Sequence, residues 1–65
     1  MMTYWVIVGE SKKYASLSDA KRVVKQKHPS ITWGAPYQAS NGRVRIVGKY
    51  GSETNDPIVI EKRGS

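Results

Sequence analysis

Thr3-Tyr4-Trp5-Val6-Ile7-Val8 constrains the fold more than any other stretch. Every residue in it favours extended structure, and Gly9 ends it. Alternation puts Tyr4, Val6 and Val8 on one face and Trp5 and Ile7 on the other, so both faces are apolar. A strand of this kind usually lies inside a sheet and is covered on both sides.

The rest of the 65-residue chain has to build that sheet without covalent help. A domain of this size buries only about 60% of the surface its unfolded chain exposes. There is no Cys, which excludes disulfides and thiolate zinc sites, and the single His28 cannot form a histidine cluster. The expectation is one domain over residues 1–65 with no cofactor and no metal site. The longest apolar run, Tyr4 to Val8, falls far short of the roughly 20 residues a spanning helix needs. The N-terminus lacks the basic start and long apolar stretch of a secretion signal. A soluble, cytoplasmic protein is expected.

One helix is predicted. Ser16 reads as its N-cap, with Asp19 three residues on approximating a capping box, and Ser18 competes for the same role. Leu17, Ala20, Val23 and Val24 form an apolar stripe, and His28-Pro29 marks the end. A helix of about 12 residues is marginal alone and must dock on a neighbour. Ile31 to Ala39 reads as a second strand, placed at an edge or bent because Gly34 and Pro36 interrupt it. Asn41-Gly42 predicts a hairpin turn. Arg43 to Tyr50 is a third strand, with Val44, Ile46, Gly48 and Tyr50 on one face and Arg43, Arg45, Val47 and Lys49 on the other. A polar loop follows at Gly51 to Asp56. Ile58-Val59-Ile60 centres a fourth strand, and Lys62 to Ser65 are expected to fray. The expected fold is α+β: a four-stranded mixed sheet with one helix packed on one face, in β-α-β-β-β order. If the first two strands are parallel, their crossover is right-handed.

One helix cannot cover both faces of such a sheet. An uncovered apolar face is expected around Trp5, Ile7 and Val59, or on the residues opposite them. It is either ordinary exposed apolar area or a contact surface for a partner or a second copy.

Nothing in the chain points to catalysis. Asp19 suits a helix start, Asp56 a turn before Pro57 and Glu61 a charged strand end; Glu10 and Glu53 complete the acids, and no two form an evident acid–base pair. His28 suits a helix C-terminus. Gly9-Glu10-Ser11-Lys12-Lys13 follows a strand but lacks the second glycine and the Gly-Lys-Ser/Thr ending of a phosphate loop. Gly48-Lys49-Tyr50-Gly51-Ser52 lies between two strands and not before a helix. Both read as turns, and the protein is expected not to be an enzyme.

Charge is the remaining signal. Eleven Lys and Arg stand against five Asp and Glu, for a net charge of +6. Lys21, Arg22 and Lys25 occupy one arc of the helix; Arg43, Arg45 and Lys49 share one strand face; Lys12 and Lys13 form a doublet before the helix. A solvated surface accounts for much of this. Lys21 and Lys25 nonetheless repel each other, and only Asp19 offers Arg22 compensation. The first reading is therefore a small nucleic-acid-binding protein, with DNA ahead of RNA because a helix or a two-stranded ribbon fits the major groove. Lys12, Lys13, Lys21, Arg22, Lys25, Arg43, Arg45 and Lys49 would meet phosphates, with Arg43 and Arg45 also suited to base edges. Trp33, Tyr37 and Tyr50 would stack on unpaired bases if exposed, against a simpler role in packing. This reading needs the two cationic groups to converge on folding. The alternative is an adaptor or inhibitor that binds another protein through the apolar sheet face or a strand edge. Self-association as a homodimer is compatible with either.

Overall fold

Strand β1 runs over Thr3–Ile7, as its β-favouring residues predict. The structure is a computed structural model that describes residues 2–51 and 56–64. After β1 the Glu10 N–H donates to the Ile7 carbonyl at 2.9 Å, and the chain returns as β2 (Lys13–Tyr14) beside β1. Ser16 caps helix α1 (Leu17–Lys27), its Oγ accepting from the Asp19 N–H at 3.2 Å. The helix stops at His28, whose N–H donates to the Val24 carbonyl at 2.9 Å, just ahead of Pro29.

Strands β3 (Thr32–Trp33) and β4 (Tyr37–Gln38) are two pieces of one sheet edge, separated by Gly34, Ala35 and Pro36. A tight loop through Asn41-Gly42 leads into β5 (Val44–Lys49). The Gly42 N–H donates to the Ala39 carbonyl at 2.9 Å, and the Ala39 N–H donates to the Arg43 carbonyl at 2.8 Å. Only Gly42 takes the left-handed conformation there, at φ +83°. This is a three-residue hairpin loop in which the third residue needs positive φ. Strand β6 (Ile58–Gly64) completes the sheet.

The arrangement corrects the expected α+β fold with a four-stranded mixed sheet, one helix on one face and β-α-β-β-β order. Among the described residues six strands form one antiparallel sheet, with the path β2-β1-β6-β5-β3 and β4 also paired to β5. Every pairing is antiparallel. Sheet dominates, and the helix is a short insertion of 11 residues. Two physical reasons account for the difference. A two-residue strand such as Lys13–Tyr14 has no readable period and exists only because β1 offers hydrogen-bonding partners. β1 takes β6 as its other neighbour, so no parallel crossover is needed. That same pairing holds the C-terminal residues: Arg63 sits opposite Tyr4 and Gly64 opposite Thr3, where fraying was expected. Of the polar loop expected at Gly51 to Asp56, residues 52–55 lie outside the described residues, and with them Glu53 and Ser52.

The core lies between α1 and one sheet face. Ile7, Ile60 and Ile46 are consecutive cross-strand partners and are almost fully buried. Ala20 and Val24 of α1 close over them, joined by Tyr14 and Ile31. Fully burying one such Ile contributes about 1.5–3 kcal/mol. That is a large share of a net stability of about 5–15 kcal/mol for an ordinary domain. Gly48 lets the sheet edge close: a Cβ there would fall 2.6 Å from Ile31 Cδ1 and 2.7 Å from the Trp33 ring. Trp5 and Ile7 both face this core, so the open face of the sheet is the opposite one.

Candidate functional site

The face turned away from α1 is organised around one acid. Lys13, Val6, Glu61, Arg45 and Tyr37 are direct cross-strand partners in a single row over β2, β1, β6, β5 and β4. Tyr4 and Arg63 are partners on an adjacent row. Strand alternation adds Val47 and Lys49 of β5 and Val59 of β6 to this face.

Glu61 is 1% exposed although no helix covers it. Three arginines do so instead. Arg45 Nε donates to Glu61 Oε2 at 2.6 Å, Arg63 Nε to Oε1 at 2.8 Å, and an Arg43 terminal nitrogen to Oε1 at 3.3 Å. Val6, the cross-strand partner of Glu61 on β1, is likewise buried at 3% exposed. The Arg63 hydrogen bond, then those of Arg45 and Arg43, hold the Glu61 carboxyl down at about 2, against the opposing effect of burial. Glu61 in turn raises the Arg45 guanidinium above its ordinary value, chiefly by their hydrogen bond. A guanidinium carries five N–H donors. Glu61 draws on the Nε–H of Arg45 and of Arg63, and Arg45 also interacts with the Tyr37 hydroxyl. The side chains of Arg43, Arg45 and Arg63 are 52%, 34% and 37% exposed, enough for a ligand to reach them. Among the described residues, five cations thus share the open face with one carboxylate.

Of the eight residues expected to form the site, Lys13, Arg43, Arg45 and Lys49 lie on this face. The other four do not. Lys21, Arg22 and Lys25 belong to α1 on the far side of the sheet. Lys21 Nζ stands 5.5 Å from the Trp33 ring centroid, and Arg22 pairs with Asp19 at 3.6 Å. Lys12 Nζ stands 5.3 Å from the centroid of Tyr14, a core residue of the helix side. The two cationic groups therefore do not converge, because Arg45 and Ile46 are neighbours on β5 and Ile46 is the residue that meets the helix.

Sequence reasoning missed Arg63 and the role of Glu61. The available signal was the alternation Val59, Glu61, Arg63 placed beside Arg43 and Arg45, since opposite charges pair across strands. Among the aromatics, Trp33 packs on the core and Tyr50 stacks on His28 with centroids 3.8 Å apart. Tyr37 is 46% exposed beside Arg45, and Tyr4 lies beside Arg63 with Lys13 Nζ 4.8 Å from its ring centroid.

No helix among the described residues is long and apolar enough to cross a membrane. The chain matches no protein-family model, no curated protein and no solved structure.

Proposed function

We propose that the protein binds nucleic acid on its open sheet face, through phosphate contacts from Lys13, Arg43, Arg45, Lys49 and Arg63. The observation that carries this reading is the gathering of three arginines over one buried carboxylate. Glu61 neutralises one charge and anchors the three guanidiniums side by side, each still partly exposed to phosphate oxygens. Lys13 and Lys49 act as point charges farther out. The helix cations are not part of this surface, so the single converged patch that the sequence reading required is not formed, and the support for binding is the sheet-face cluster alone. A cytoplasmic setting, where nucleic acid is at hand, goes with this reading.

A protein adaptor or inhibitor is the competing reading, and it has less to work with. Trp5 and Ile7 face the helix, and the sheet edges β2, β3 and β4 are two residues long each. Edges so short are poor templates for a partner strand.

Binding measured across a salt series tests the proposal. With about four phosphates neutralised, log affinity falls against log salt with a slope near −3 on single strands and near −4 on duplex. Binding that ignores salt, or none at low salt, contradicts it.

A further inference from the structure

We infer, resting on that reading, that the ligand is an unpaired strand and that its bases stack on Tyr37 and Tyr4. Breadth favours an unpaired strand. The row from Lys13 to Tyr37 crosses five strands. At about 4.8 Å between strands it is about 19 Å wide, against a major groove about 12 Å wide. This face cannot enter a groove broadside, so a duplex would touch it only through phosphates on its rim. A single strand has no such restriction and can lie across the row.

A tyrosine stands at each end of the arginine cluster. Tyr37 is 46% exposed and stands directly opposite Arg45, which its hydroxyl engages. Tyr4 is directly opposite Arg63, with the Lys13 amine over its ring. Three strand spacings separate the two rings, about 14 Å along the row. The guanidiniums lie between them, where the phosphates linking two stacked bases would pass. In a duplex, base faces are occupied by their neighbours; in an unpaired strand they are available, and any base can stack on an aromatic ring. Cations beside aromatic rings suit a single strand of either sugar type. Val47 and Val59 supply apolar area between the charges.

Fluorescence anisotropy with labelled oligo-dT, oligo-rU and a DNA duplex of equal length, at low salt, tests the inference. Wild-type protein is compared with Tyr37→Ala and Tyr37→Phe, each first checked by circular dichroism. The expected result is binding of at least one single strand about tenfold or more tighter than duplex. Tyr37→Ala weakens that binding by about 5- to 150-fold, the range measured for loss of one base–aromatic stack. The same change leaves duplex affinity within about twofold, and Tyr37→Phe keeps single-strand affinity because the ring remains. Duplex binding as tight as single-strand binding, or equal losses on both with Tyr37→Ala, overturns the inference and leaves the nucleic-acid reading standing. Binding to none of the three, or binding no tighter than to polyglutamate, overturns both.

Discussion

Arg45 and Glu61 face each other across β5 and β6, and Arg45 Nε lies 2.6 Å from Glu61 Oε2. This contact sits at the middle of the sheet on the face that no helix covers. Arg43 and Arg63 both meet the other carboxylate oxygen, Oε1. One acid thereby sets the position of three cations, and the surface becomes a defined arrangement and not a scatter of charge.

Removing the acid is therefore expected to cost stability. Breaking a well-buried ion pair by deleting one partner costs about 3–5 kcal/mol. The arginines here are partly in water, so Glu61→Gln is expected to cost about 2 kcal/mol at neutral pH. Urea unfolding followed by tryptophan fluorescence checks it. A change under about 0.5 kcal/mol, the usual effect of an ordinary surface substitution, goes against this view of the cluster.

Acid should remove the same contribution. The Glu61 carboxyl is lowered from 4.5 to about 2 in the folded protein. A group depressed on folding adds stability above its unfolded value and loses it as pH falls through its folded value. The gap in urea midpoint between wild type and Glu61→Gln is expected to be full near pH 6 and to narrow between about pH 4.5 and 2. A gap that stays constant over that range contradicts the assignment.

Gly48→Ala is expected to destabilise by about 1–3 kcal/mol through overpacking. The new methyl would meet Ile31 Cδ1 at 2.6 Å and the Trp33 ring at 2.7 Å. Thermal unfolding should register a drop of several degrees, and an unchanged midpoint would show that the edge can open without cost.

Ser16→Ala should cost about 1 kcal/mol, because its Oγ satisfies the Asp19 N–H at the start of α1. Ser18→Ala serves as the control and is expected to be close to neutral, since Ser18 lies inside the helix.

The helix and the hairpin could be read from local chemistry, but the fold class could not. Ser16 and His28 mark the helix ends because caps act through residues three or four apart. Asn41-Gly42 marks the hairpin because positive φ singles out glycine. Strand order was not readable: β1 is equally apolar on both faces, so nothing local says which neighbours it takes. The candidate site was half readable for the same reason. Arg43 and Arg45 declare a polar face of β5, but Glu61 and Arg63 join them only through pairing between strands distant in sequence. The helix cations looked like part of one surface because charge counts carry no information about which side of a sheet an element occupies.

The most direct measurement compares two double variants in the salt dependence of oligonucleotide binding. Lys13→Gln/Lys49→Gln removes two cations from the open face without touching the Glu61 cluster. Lys21→Gln/Lys25→Gln removes two from the helix. Each lost phosphate contact takes about 0.7 from the slope on a single strand. The open-face variant is expected to flatten the slope by about 1.4 and to weaken binding at low salt, while the helix variant follows wild type. A flattened slope in the helix variant, with the open-face variant unchanged, would place the nucleic acid on the other side of the sheet and contradict the account.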